Sequence, residues 1–271
     1  MRANRVLFIV AVALLFVAPS YAYSIGPTAW DPGPDHARWS AGNPAPGSAN
    51  WSIMPAGLGV AAGQAAIDDP SHVGFTTEDF DSLVPTVGWE EQVIDQALDE
   101  WDLWSGFTNL GEVPDGGGQG GADDAGGGGT GDIRVAAWAI TDANVLAHAF
   151  YPGTWSDWGS DWNFGGDVHF DTGWVWVDDA TDTTVDPDFD FYTVALHELG
   201  HSLGLEHSSD INSVMYPVYQ GARRTLKADD IAGIQAIYGL QQVVPEPASV
   251  CLLGLAGGAI AAVVKKRKKA A

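Results

Sequence analysis

Between residues 87 and 104, apolar side chains recur at Val93, Ile94, Ala97, Leu98, Trp101 and Trp104, with charged and amide residues between them. That three-and-four spacing gathers the apolar positions on one face and predicts an amphipathic helix. The segments 133–140, 145–150 and 167–177 are short, rich in β-branched and aromatic residues, and predict strands. A Trp- and Gly-rich loop separates the last two. A first strand is expected around 51–60. A second helix is predicted over 191–205 and a last one over 228–238, where Asp229 and Asp230 stand near the positive helix N-terminus. The Gly- and Asp-rich tract 111–131 follows neither period. It lacks the Lys-Ser/Thr ending that a phosphate-cradling loop requires, and is expected to be a flexible surface insertion. No internal repeat is evident.

The two ends have a different character. Arg2 and Arg5, the apolar run 6–18 and the small residues Ser20 and Ala22 predict a secretory signal peptide over 1–22. Its apolar run is too short for a membrane span. Residues 23–50, rich in Pro, Gly, Ser and Asn, are an irregular leader in this reading. In the terminal segment 241–271, Pro245-Glu246-Pro247 precedes an uncharged stretch, 248–264, and then Lys265, Lys266, Arg267, Lys268 and Lys269. As a helix that stretch reaches roughly 25 Å, the short limit for crossing a bilayer, and the basic cluster would stay cytoplasmic. The order resembles the bacterial PEP-CTERM sorting signal. That resemblance implies a precursor anchored in the inner membrane through 248–264 alone, processed by an exosortase-like enzyme, and delivered to the cell surface or beyond. A plain C-terminal anchor is the other reading.

Charge narrows the partners. All 35 acidic residues lie between Asp31 and Glu246, while the two ends hold seven of the 12 basic ones. The body between them has 34 acidic against five basic residues, a formal charge of about −29. Such a surface repels nucleic acid and anionic lipid and excludes both as partners. The single cysteine, Cys251, falls in the tail, so the body has no disulfide and rests on core packing and bound metals.

The chemistry concentrates in residues 197–207, His-Glu-Leu-Gly-His-Ser-Leu-Gly-Leu-Glu-His. On a helix, His197 and His201 project from the same face. Gly204 permits the left-handed conformation that ends a helix and swings His207 back as a third ligand. Three neutral imidazoles leave one position of a zinc ion open, the layout of a catalytic rather than a structural site. Glu198, beside the first histidine, is placed to act on a water there as general base. The competing reading is an amphipathic core helix with incidental histidines.

With these elements in order, residues 87–240 resemble a metzincin of the matrixin type, the family of the matrix metalloproteinases. Besides the zinc motif, the resemblance is carried by Ser213-Val214-Met215-Tyr216-Pro217 and by the closing segment Asp229-Asp230-Ile231-Ala232-Gly233-Ile234-Gln235. Leu146-Ala147-His148-Ala149-Phe150 and Gly166-Asp167-Val168-His169-Phe170-Asp171 match as well. Pro217 stands where astacin- and serralysin-like relatives carry a ligand tyrosine, which favours the matrixin branch. The resemblance implies an α+β fold: a twisted mixed sheet, an active-site helix, a turn at Met215 supporting the imidazoles, and a C-terminal helix, with the catalytic domain over 51–240. It implies Zn2+ as cofactor and a protein or peptide substrate paired with the edge segment 143–150. Pro217, Val218 and Tyr219 would form the wall of an apolar specificity pocket, with Thr193 and Val194 on its helix side.

The sequence also departs from that family. His148 and His169 match two ligands of a second, structural zinc, but 133–144 contains no histidine to complete the set. Asp167 and Asp171 match positions for Ca2+, yet Trp174 replaces an expected glutamate. No cysteine precedes Cys251 to hold the enzyme latent. The reading is thus an exported zinc endopeptidase, the alternative being a non-catalytic surface or matrix protein that keeps the metzincin scaffold and its metal.

Overall fold

The computed structural model describes residues 45–59, 76–84, 88–118, 131–140, 144–152, 166–183 and 188–241. A five-stranded sheet runs in the order β2-β1-β3-β5-β4, built from β1 (Gly47–Ile53), β2 (Phe107–Glu112), β3 (Ile133–Trp138), β4 (Ala147–Ala149) and β5 (Val168–Asp171). Four strands are parallel. Only β4, at the edge, is antiparallel to its neighbour, with His148 opposite His169. All six residues of β3 are buried, as expected of a central strand covered on both faces. Two further short strands, β6 (Val175–Val177) and β7 (Asp188–Asp190), pair in parallel.

Three helices complete the fold: α1 (Trp89–Trp104), α2 (Phe191–Ser202) and α3 (Ala228–Tyr238). The stripe of α1 read from sequence, Val93, Ile94, Ala97, Leu98 and Trp101, is buried, while Trp104 stays 42% exposed. It packs on Phe191, Ala195 and Leu199 of α2 in one core that reaches Val135 and Phe170 of the sheet and Ile234 of α3. The indole Nε1 of Trp101 donates to the Leu196 carbonyl at 3.1 Å, fixing α2 on α1 by a polar as well as an apolar contact.

Four features differ from the sequence expectation. The first strand lies at Gly47–Ile53 rather than 51–60, and Pro55 interrupts it, having no N–H for a ladder. Strand β2 was not expected: Thr108, Asn109 and Gly111 give it only two apolar side chains, Phe107 and Leu110. Segment 167–177 forms two strands, because the Asp171 carboxylate accepts Gly173 N at 2.9 Å and turns the chain. The tract 111–131 is not wholly a surface insertion either. The Asp115 side chain is buried and takes Arg134 through Nε at 2.8 Å and Nη2 at 2.9 Å, with Ser52 Oγ at 2.9 Å. Residues 119–130 of that tract lie outside the described residues.

Candidate active site

Helix α2 starts at Asp190, whose carboxylate accepts from Thr193 N at 3.0 Å and Thr193 Oγ1 at 2.6 Å. An N-cap aspartate satisfies amides the first turn leaves unpaired and sits at the positive end of the helix. Arg224 pairs with the same carboxylate and with Asp178. The helix ends at Ser202, three residues before the expected Leu205. There Gly204 takes φ 104° and Leu205 N bonds back to the Gly200 carbonyl at 2.9 Å. That reversal carries His207 to the two helical histidines.

The three imidazoles converge. One ring nitrogen from each of His197, His201 and His207 lies within 4.8 Å of the others. His197 Nδ1 is 2.7 Å from the Val214 carbonyl and His201 Nδ1 is 2.6 Å from the Leu205 carbonyl. A carbonyl only accepts, so both Nδ1 atoms carry the proton and both Nε2 atoms present lone pairs. Those two Nε2 atoms face each other at 3.1 Å. Two ligands at about 2.0–2.1 Å on a tetrahedral zinc stand about 3.3 Å apart, so the pair fits that ion. Carbonyl acceptors behind ligand histidines fix tautomer and ring orientation. Burial pushes His197 down to about 4 and His201 well below the ordinary histidine range, and lowers His207 too, favouring the neutral form in which an imidazole can ligate a metal.

Glu198 is 6% exposed, and burial pushes its carboxyl up to about 8. It borders a cleft of about 640 Å³ together with His197 and His207. Thr193 and Val194 line one side and Pro217, Val218 and Tyr219 the other, so the structure brings all five candidate pocket residues to one cavity. The Tyr219 hydroxyl donates to Asp182 at 2.7 Å and accepts Asp190 N at 3.0 Å, tying the wall to the α2 cap. Residues 144–147, leading into the edge strand β4, form the rim. Residue 143 lies outside the described residues.

Beneath the imidazoles, Met215 packs against Gly200, where an added Cβ would collide with its sulfur and crowd Trp101. One carboxylate of α3 holds this turn. Asp230 accepts from Ser213 Oγ, from Val214 N at 3.0 Å, from Met215 N at 3.3 Å and from Lys227 N at 2.8 Å. Asp229 takes Ser208 Oγ at 2.6 Å, and Ser208 N donates to the Met215 carbonyl at 2.8 Å. Both aspartates therefore serve the turn as well as the helix end.

The other candidate ligands are arranged differently. His148 Nε2 and His169 Nδ1 lie 2.7 Å apart across β4 and β5, and His169 stacks on Trp138 with ring centroids 4.2 Å apart. Among the described residues no third histidine or carboxylate joins them in a cluster. Asp167 precedes β5 and Asp171 is its last residue. Asp171 Oδ1 is engaged by Ile140 N and Gly173 N, each at 2.9 Å.

Two residues at the site were not assigned a place in it from sequence. Trp174, standing where a calcium-binding glutamate was expected, lines the cleft and donates from Nε1 to the Val145 carbonyl at 2.8 Å. Tyr151 sets its ring edge-on to His201 at 5.9 Å, and its hydroxyl bonds Glu206; burial and that carboxylate raise the phenol. Nothing in the local pattern flags these residues, since their roles depend on chain segments brought near by folding.

Residues 139–239 match the family model described as Matrixin. The chain is similar to matrilysin of Rattus norvegicus, 50% identical over 99 residues that cover 35% of this chain and 32% of that protein. It is similar to interstitial collagenase of Bos taurus, 41% identical over 165 residues, 58% of this chain and 32% of the other. Matrilysin of Homo sapiens is 46% identical over 99 residues, again 35% and 32%. The chain thus spans about a third of the length of these relatives. The matched segment holds α2, the Met215 turn and α3, so it is this part of the chain that resembles the matrixin metalloproteases, and the mixed sheet with its helices is consistent with the α+β metzincin fold.

Proposed function

We propose that this chain is an exported zinc-dependent endopeptidase that hydrolyses peptide bonds of extracellular or surface proteins with Glu198 as general base. The observation that carries this reading is the pair of Nε2 lone pairs facing each other at 3.1 Å, each fixed by a carbonyl behind its ring, beside a buried carboxylate on the cleft. His197, His201 and His207 would hold zinc, which would supply Lewis-acid activation of a water and of the scissile carbonyl. Glu198, raised to about 8, is matched to neutral pH for moving a proton in both directions. Its carboxylate oxygen takes a proton from the attacking water and returns it to the leaving amide nitrogen. Residues 144–147 and β4 present main-chain groups to an extended peptide, a grip with little sequence preference. Selectivity then falls to the cleft between Val194 and Val218, which suits an apolar side chain.

Export rests on the two ends. Residues 1–22 and 248–264 lie outside the described residues, and among those described no helix is long and apolar enough to cross a membrane. The signal-peptide pattern and the PEP-CTERM-like order of Pro245-Glu246-Pro247, apolar stretch and basic cluster support a membrane-held precursor that a processing enzyme releases.

The test is Glu198→Ala in the full chain, with casein and a diverse peptide library as substrates. The variant keeps its zinc, because the carboxylate is no ligand, and loses about 10²–10⁴-fold in cleavage. A zinc-loaded wild type that cleaves nothing above the variant's background would leave the metal-stabilised scaffold as the function.

A further inference from the structure

A second group of carboxylates lies where the 3-10 turn Phe80–Ser82 meets the start of α1. Asp81, Glu90 and Glu91 each bring an oxygen within 4.8 Å of the other two. Glu90 is fully buried; its Oε1 accepts Val84 N at 3.3 Å, but its Oε2 has no hydrogen-bond partner. Glu91 Oε2 is also shielded from solvent and without a partner. Asp81 uses Oδ1 on Gly88 N at 3.3 Å.

Among the described residues no basic side chain is bonded to this group. The described basic side chains are bonded elsewhere: Arg134 to Asp115, Arg223 to the Ser213 carbonyl, Arg224 to Asp178 and Asp190, and Lys227 to Thr225. The amino end of α1 favours negative charge, but its dipole amounts to about half a unit, far short of three carboxylates. Withholding both water and donors from buried carboxylate oxygens is costly unless a cation takes them.

We propose that Asp81, Glu90 and Glu91 form a calcium site, independent of the zinc centre and of any peptidase activity. Calcium bonds oxygen at about 2.3–2.6 Å, so two of its ligands stand at most about 5 Å apart. The three carboxylates meet that limit, and water fills the remaining positions. An all-oxygen, anionic set with no imidazole or thiolate selects a hard cation over zinc or copper. Calcium also tolerates an irregular shell, whereas magnesium demands near-octahedral geometry. Burial, together with Asp81 and Glu91, holds the Glu90 carboxyl above its usual range, a repulsion that a divalent ion removes.

The ion would clasp the two elements that seat α2. Phe80, in the turn, packs on Phe170 and on Phe191, the first residue of α2, with centroids 6.1 Å apart in each case. Trp89, the first residue of α1, lies 5.8 Å from the same Phe191 ring. Calcium at this place therefore stabilises the start of the helix that carries His197 and His201.

The experiment uses the full-length, zinc-loaded protein. Calcium titration by calorimetry and thermal unfolding is compared for wild type and the Glu90→Gln/Glu91→Gln variant, with zinc content checking that each is folded. Wild type should gain in Tm and bind one more calcium equivalent than the variant. Asp81→Asn, at a partly exposed position, serves where the double variant does not fold and should weaken calcium at least tenfold. Terbium luminescence excited through tryptophan should appear on binding, fall when calcium displaces it, and drop in Trp89→Phe, whose calcium affinity is unchanged. Equal calcium content in wild type and folded variants, no calcium bound by wild type at millimolar concentration, or an equal rise in Tm with magnesium would overturn the assignment.

Discussion

The sulfur of Met215 occupies the space that a side chain at Gly200 would need. The glycine between the two helical histidines is therefore a packing requirement imposed by a turn fifteen positions away. Helix α2 is itself regular there and asks for no glycine on conformational grounds. The close approach lets the methionine lie under the imidazoles without pushing α2 off Trp101, whose indole is bonded to that helix.

Gly200→Ala should accordingly destabilise the protein by about 1–3 kcal/mol, the usual cost of overpacking. Combining it with Met215→Ala should return part of the loss, because the sulfur that blocks the methyl group is gone. Urea unfolding of both single variants and the double variant checks this; strict additivity would contradict the direct collision.

Asp230→Ala should be more damaging than a typical surface change at a helix start. It strips the acceptor from Ser213 Oγ and Val214 N together, while Met215 N keeps its bond to Ser213 Oγ at 2.9 Å, and buried donors left unpaired cost about 1–3 kcal/mol each. Val214 also supplies the carbonyl that fixes His197, so zinc affinity should fall along with Tm. Chelator competition, run beside thermal unfolding, measures both.

In the zinc-free protein the buried histidines and Glu198 have opposite pH signatures. His197 is lowered to about 4 from 6.5, so the unfolded chain binds more protons and stability rises with pH through that window. Glu198 is raised from 4.5 to about 8, so its contribution is complete below pH 4.5 and is lost as pH rises toward 8. Glu198→Gln removes the second signature. Between pH 6.5 and 8, chelated wild type should lose stability relative to this variant, by on the order of 1–2 kcal/mol. Parallel denaturation curves across that range would refute the buried, raised carboxyl.

Trp174→Phe keeps an aromatic wall in the cleft but removes the donor to the Val145 carbonyl. A bond of about 1 kcal/mol lost from the substrate rim should raise KM about fivefold and leave kcat nearly unchanged. Steady-state kinetics on one peptide substrate separates the two; a fall in kcat alone would place Trp174 in the chemistry instead.

Metal content supplies a further check. One tightly held zinc per chain is expected, lost in His197→Ala, whereas a His148→Ala/His169→Ala pair should leave that count unchanged. Elemental analysis showing two tight zincs, one lost with the latter pair, would establish a second centre on β4 and β5.

The histidine trio was legible in the sequence because its geometry is local: four residues along a helix, then one glycine-permitted reversal to His207. The stripe of α1 and the whole of α3 were legible for the same reason. Strand β2 was hidden, since an edge of the form Phe-Thr-Asn-Leu-Gly-Glu buries little and shows little alternation. Asp115 looked like part of a solvated tract until Arg134, on another strand, gave it a partner. Trp174 and Tyr151 depend on folding in the same way. Each meets the site through a chain reversal that no short window of sequence contains.

The anchoring of the Met215 turn by Asp230 also sets the order in which competence is acquired. As the chain emerges from the ribosome, the zinc helix appears well before the carboxylate that secures the floor beneath it. Tyr238, farther along still, donates to the Leu203 carbonyl at 2.9 Å, and Gly106 N reaches back to the Gly239 carbonyl at 3.0 Å. A nascent polypeptide that stops short of α3 holds the three histidines and Glu198 yet lacks their support. Support of the histidine cluster is thus completed only when the last helix has been made and has docked.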